Sequence, residues 1–171
     1  MQAFAQIADA WPGWTLTIAG EGPEHGAIAE VIRSDSRLVE RVQLVGLQTK
    51  AQLSELFTSS DCLVYPSRHE TFGLVLAEAM STGLPVVAPD RTAPVEFVDA
   101  SCGVLVPPDD VVAIARAIDK VLTQLPSYRP DEIRNAIVHR FGFAAFGRNL
   151  LALYEDVCRT RPTDVRVACA A

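Results

Sequence analysis

Two glutamates, Glu70 and Glu78, stand with seven residues between them in the segment PSRHETFGLVLAEAMSTGLPVV, residues 66–87. Their surroundings are otherwise apolar: Phe72, Leu74, Val75, Leu76, Ala79 and Met80. An ionised carboxylate in such a stretch must stay in water or find donors, because unpaired burial of charge is costly. Carboxylates only accept hydrogen bonds, so a pair of them suits the vicinal hydroxyls of a sugar or a ribose. Each such bond to a charged acceptor contributes about 1.5–3 kcal/mol. A strand-like run, 61–65, precedes the pair, and a helix is predicted to begin near Phe72. The N–H groups of Phe72, Gly73 and Leu74 would then lack internal partners and form a phosphate cradle. Glu70 would hang at its mouth and Glu78 would lie about a turn and a half into the helix. The spacing fits a blander arrangement equally: Glu70 as an exposed acid ahead of a helix, Glu78 as a solvated position on an amphipathic one.

A second glycine-rich turn lies at GEGPEHG, residues 20–26. Gly20, Gly22 and Gly26 nearly reproduce a dinucleotide fingerprint, but the third glycine comes one residue late and Pro23 occupies the turn. That disfavours an NAD(P) oxidoreductase or an epimerase. What remains is a tight strand-to-helix turn, or one that lets a diphosphate or ribose approach the backbone.

These residues need elements to hold them. Strand-like runs at 14–20, 41–46, 61–67, 85–89 and 102–108 alternate with helical patterns at 1–10, 24–34, 51–60, 71–83, 109–125, 130–142 and 143–159. Thr49 is placed to cap the helix that follows it, and Gly83 to close 71–83. Alternation at such short intervals predicts βαβ units, hence an α/β, doubly wound, Rossmann-like and mostly parallel sheet. Residues 1–159 form one domain on this reading, with a loose tail over 160–171. Sheets of this kind take ligands at the carboxyl ends of their strands. Both candidate turns fall there.

The bulk properties are compatible. The chain has 171 residues, 49% hydrophobic and 21% charged. A chain of that size buries roughly 70% of its unfolded surface. A net charge of −6 argues against nucleic acid or an anionic membrane as partner. No apolar run reaches the roughly 18 residues of a membrane span, and the first residues lack the basic start of a signal peptide. Cys62, Cys102, Cys158 and Cys169 show no paired spacing. They read as reduced thiols of a cytoplasmic protein.

The motifs in order, LTIAGEGPE (16–24), VQLVGLQTKAQLSELFTSSDCLVYPSRHETFGLVLAEAMSTGLPVVAPD (42–90), CGVLVPPDDVVAIARAI (102–118) and HRFGFAAFGRNLLALYEDV (139–157), resemble the C-terminal, donor-binding domain of retaining GT-B glycosyltransferases, specifically glycosyltransferase family 4. The resemblance covers most of residues 4–158. It implies one half of a GT-B fold and transfer of a sugar, hexosyltransferase-type, from a nucleotide-diphosphate sugar to an unknown acceptor with retained configuration. Glu70 would contact the donor sugar as the catalytic carboxylate, and Glu78 would hold the ribose. The backbone of Phe72, Gly73, Leu74 and Val75 would hold the diphosphate. Gly20 and Gly22 would leave room for the donor, and Gly46 with Leu47 would lie near the base. No cofactor is implied and no metal: the chain has no D-x-D motif.

The chain also departs from that pattern. The family's N-terminal acceptor domain has no counterpart here, and residues 1–10 match the helix that follows the first donor-domain strand and its basic pair. The expectation is a chain without that domain and strand, completed by a missing domain or a separate acceptor-domain protein. Alone it would be inactive or weak, since losing one group that stabilises developing charge costs about 100–1,000-fold in rate. Thr92 and Ala93 stand where the family often has two glycines, and could crowd the donor pocket. Arg91 is a candidate replacement cation, though it reads more readily as a solvated surface arginine; Arg68 and His69 lie closer to the loop, and His69 is a candidate hydrogen-bond partner of the donor or an exposed loop histidine. The alternative function is a non-catalytic nucleotide-sugar-binding or interaction domain derived from such an enzyme, with Phe143, Phe146, Leu150, Leu151 and Leu153 on the last helix either packing inward or facing a partner.

Overall fold

The computed structural model describes residues 1–160. The elements alternate as expected: α1 (Gln2–Ile7), β1 (Leu16–Ala19), α2 (His25–Ser34), β2 (Val42–Gly46), α3 (Lys50–Ser59), β3 (Leu63–Val64), α4 (Leu74–Met80), β4 (Val86–Pro89), β5 (Gly103–Val106), α5 (Val111–Gln124), α6 (Pro130–Phe141) and α7 (Phe143–Thr160), with short 3₁₀ turns at Ala93–Glu96 and Leu125–Ser127. The expected tail from residue 161 on lies outside the described residues.

Local chemistry explains where the longer helices begin. Thr49 caps α3 reciprocally: its Oγ1 accepts from the Gln52 amide at 3.3 Å, and Gln52 Oε1 accepts from the Thr49 amide at 2.9 Å. Asp110 caps α5 by accepting from the Ala113 amide at 2.9 Å. The helix then buries Ile114, Ala115, Ala117, Ile118, Val121 and Leu122 along one stripe. Gly83, at φ 91°, closes the turn beyond α4.

Every strand pairing is parallel. The strands do not form the single continuous sheet expected of a doubly wound domain. They fall into two ladders, β1-β2 and β3-β4-β5. Leu16 and Gly20 donate to β2 through Arg41 O and Gly46 O, and Leu63 and Tyr65 donate towards β4 through Pro85 O and Val87 O. Amides alternate in direction along a strand, so those of Thr17 and Val64 face the unpaired edges. Among the described residues β4 is the only strand buried throughout, as an interior parallel strand should be. Around it Phe4, Leu38, Leu76, Met80, Val86, Val87, Val121 and Ile133 build one core to which both ladders contribute.

Two boundaries differ from the sequence pattern. The strand expected over 61–67 is paired only at Leu63–Val64, both half-buried. The helix expected over 71–83 runs only from Leu74 to Met80. Helix α7 turns its large apolar residues outward: Phe143 is 98% exposed and Phe146, Leu151 and Leu153 more than half. Among the described residues no helix is long and apolar enough to cross a membrane.

Candidate functional site

The chain leaves β3 at Tyr65 and reaches α4 through a loop pinned by an aromatic cluster. The Phe72 ring stacks on Phe97 with centroids 6.1 Å apart and meets Phe141 edge-on at 5.1 Å. Phe97 and Phe141 meet edge-on at 5.5 Å. Phe72 is therefore drawn to the body of the domain and is not the first residue of a helix. The backbone instead turns through Gly73, whose φ of 84° is costly for any residue with a Cβ. A Cβ there would also approach Leu76 Cδ1 to 3.2 Å, and Glu70 Cγ and Pro94 Cγ to 3.6 Å. Glu70, Gly73 and Pro94 thus meet at one point.

The Glu70 carboxylate is held from two sides. Tyr65 donates its hydroxyl to Oε2 at 3.0 Å, and the Thr71 amide donates to Oε1 at 3.2 Å. Partial burial alone would raise the Glu70 carboxyl, but the Tyr65 hydroxyl and the amides of Gly73, Phe72 and Thr71 outweigh it and hold the group below the usual carboxylate range. The amides of Phe72 and Gly73 are therefore turned toward Glu70 itself. The N–H groups at the start of α4 without an intrahelical partner are those of Leu74, Val75 and Leu76, and the first two lie nearest its tip. Leu74 is 65% exposed.

Gly20 and Gly46 end β1 and β2 side by side. The Gly20 amide donates to Gly46 O at 2.7 Å, and the two have φ of 127° and 67°. A Cβ on Gly46 would lie 3.6 Å from Glu21 Oε1. Gly22 is exposed with open space around it, and Leu47 is 71% exposed. The structure so brings the candidate residues together in two groups, Gly20, Gly22, Gly46 and Leu47 on one ladder and Glu70, Phe72, Gly73, Leu74 and Val75 beyond the other. Glu78 belongs to neither by contact. It lies on the exposed side of α4, and among the described residues its carboxylate takes no hydrogen bond.

The candidate cations are partly engaged. Arg68 Nε donates to Asp109 Oδ1 at 2.6 Å, whereas Arg91 lies 3.8 Å from Asp90. His69 is exposed. Thr92 adopts φ 60° and ψ −154°, a region that glycine occupies freely and other residues rarely. Its side chain is exposed and donates to Arg91 O at 2.6 Å. Tyr65 is the site neighbour that sequence reasoning missed. The available signal was a hydrogen-bonding aromatic residue at the carboxyl end of an otherwise apolar strand.

Parallel βαβ units with glycine turns at the strand ends define an α/β, Rossmann-like domain. Comparison with known proteins adds the family. The sequence model for glycosyl transferases group 1 matches residues 1–124, and the chain belongs to that family. It is 36% identical over 125 residues to an exopolysaccharide phosphotransferase of Streptomyces coelicolor, a match covering 71% of this chain and 13% of that one. It is 31% identical over 169 residues to the D-inositol 3-phosphate glycosyltransferase of Segniliparus rotundus, covering 93% of this chain and 36% of the relative. The crystal structure of Anabaena HepE in complex with UDP superposes with a TM-score of 0.75 at 23% identity, over 91% of this chain and 44% of HepE. The fold is one Rossmann-like half of a GT-B architecture. The chain spans about a third or less of the length of these two curated relatives.

Proposed function

We propose that this chain is the donor-binding half of a retaining glycosyltransferase, taking a nucleotide-diphosphate sugar. The observation that carries the reading is Glu70, kept ionised beside the Gly73 turn next to the open amides of Leu74 and Val75. Family membership gives that arrangement its context, and a similar fold crystallised with UDP supports the ligand class. Glu70 accepts hydrogen bonds from the sugar hydroxyls near the reacting carbon. Glu78, unengaged on α4, accepts from the ribose hydroxyls. The Leu74 and Val75 amides meet the diphosphate, and the Gly20–Gly22 and Gly46–Leu47 turns admit the rest of the nucleotide. The acceptor is bound elsewhere, by another domain or a partner. As the diphosphate leaves, its developing charge needs positive groups aimed at it. Arg68 shares an exposed ion pair with Asp109, so Arg91 and groups supplied from outside this unit are the further candidates to meet that charge.

Calorimetric titration with UDP, GDP and ADP, each with and without a sugar attached, tests the reading. It predicts saturable binding of one nucleoside diphosphate, tightened by its sugar. Glu78→Gln should weaken the nucleotide by about tenfold or more, the size of a hydrogen bond to a charged acceptor. Absence of binding by all six compounds in a folded protein would overturn it. It would favour a derived interaction domain, for which the outward apolar residues of α7 are the specific observation.

A further inference from the structure

Glu70 owes its position to a residue outside its own loop. Tyr65 sits where β3 ends, and its amide donates to Val87 O of the fully buried β4 at 2.8 Å. Its ring packs against the main core. The Tyr65 backbone and ring are thus fixed by the interior of the domain, while its hydroxyl reaches Glu70 Oε2 at 3.0 Å. Between the two residues the loop is folded on itself, with the Ser67 amide donating to Tyr65 O at 3.0 Å and Ser67 Oγ donating to His69 O at 3.1 Å. A glutamate has several rotatable bonds, and the amides that face its carboxylate, that of Thr71 at 3.2 Å with those of Phe72 and Gly73 turned toward it, all belong to its own loop. The phenol adds a second point of restraint on the other oxygen. A carboxylate has about four acceptor sites, so these two bonds leave acceptor capacity on both oxygens.

We propose that Tyr65 is a positioning residue for Glu70, holding the carboxylate in the orientation that accepts hydroxyl hydrogen bonds from the donor sugar. The inference rests on the donor-sugar role given to Glu70 above. It assigns Tyr65 no contact with the nucleotide and no chemical step. The hydroxyl tunes sugar binding without altering the fold, because only that oxygen distinguishes tyrosine from phenylalanine and the ring keeps its packing on the core.

The pH consequence has a definite sign. The Glu70 carboxyl is depressed in the folded protein, so its acceptor form persists above its titration point and is lost as pH falls through it. Removing the Tyr65 hydroxyl removes one cause of the depression, so that loss moves to higher pH.

Wild type, Tyr65→Phe and Glu70→Gln are to be titrated with UDP and UDP-glucose, or with the base shown to bind, across the acid range. The quantity read is the factor by which the sugar tightens nucleotide binding. Tyr65→Phe should lower it about 3–10-fold, leave affinity for the nucleotide alone unchanged, and shift its acid limb upward. A factor and acid limb equal to wild type, while Glu70→Gln abolishes the factor, would refute the role of Tyr65 and leave that of Glu70 standing. A factor untouched by Glu70→Gln would refute the Glu70 reading and this inference with it. Carbon-13 titration of the Glu70 carboxyl in the ligand-free protein gives an independent readout. Tyr65→Phe should raise its midpoint, and an unmoved midpoint would also overturn the proposal.

Discussion

Thr92 allows a stability prediction that runs against ordinary expectation. It is the only non-glycine among the described residues with positive φ, at 60°, and its ψ is −154°. A β-branched residue is a poor occupant of this region, and such a conformation costs of the order of 1–3 kcal/mol. Replacement by glycine removes that strain. It also loosens the unfolded chain, which costs about 0.4–1 kcal/mol. The side chain is exposed and makes only a local bond to Arg91 O, so little packing is lost. The balance is a gain of about 0.5–2 kcal/mol for Thr92→Gly, from the difference of those two costs. At this chain length that raises Tm by about 1–8 °C. Urea unfolding followed by circular dichroism measures it, with a higher midpoint and an unchanged slope as the expected signature. Thr92→Ala, which keeps the Cβ, should recover only a small part of the gain. If Thr92→Gly lowers stability as a glycine does at an ordinary loop position, the strain argument is wrong.

The remaining predictions use other parts of the fold. Gly103→Ala would place a Cβ 2.2 Å from Val86 O, so it should sever the β4-β5 ladder and leave no cooperative thermal transition, whereas Gly13→Ala, with open space around it, should be nearly neutral. Asp110→Ala removes the cap of α5 and should cost about 0.5–2 kcal/mol in denaturant unfolding. Burial pushes the Cys62 thiol up to about 12, so the folded state keeps it protonated after the unfolded thiol has ionised. Stability should therefore fall as pH rises from about 9 towards 12, and Cys62→Ala should flatten that limb of a pH series. Hydrogen exchange should be slow at the amides of Leu63 and Tyr65, which are bonded to Pro85 O and Val87 O, and fast at Val64, which faces an unpaired edge.

What was legible in the sequence was local. Thr49 announces the start of α3, periodicity marks the helix over 109–125, and the apolar run at 85–89 marks a strand, because caps and periodicity depend on residues within a turn or two; the Gln52 and Asp110 halves of the caps appear only in the structure. The start of α4 was misplaced because Phe72 answers to Phe97 and Phe141, far along the chain, and not to the helical pattern around it. β3 is shorter than its apolar pattern for a similar reason: residues 61–65 promise a strand, but after Tyr65, whose amide still reaches Val87 O, the chain folds back on itself with the Ser67 amide donating to Tyr65 O, although β4 continues to Pro89. The division into two ladders could not be read at all, since strand adjacency is a property of the assembled sheet. Glycines at strand ends pointed to the two turns, and Gly20, Gly46 and Gly73 do take backbone conformations that favour glycine. The bond from Tyr65 to Glu70 spans an irregular loop and has no periodic signature.

The account stands or falls on where a nucleotide sugar touches this chain. Amide chemical-shift mapping of the labelled protein during titration with UDP-glucose, repeated with GDP- and ADP-glucose, locates that contact directly. The account predicts saturable shifts for one of the three, concentrated at Gly20–Gly22, Gly46–Leu47 and Glu70–Glu78. Saturable shifts confined to another face, such as the outward side of α7, with those three segments unmoved, would contradict it.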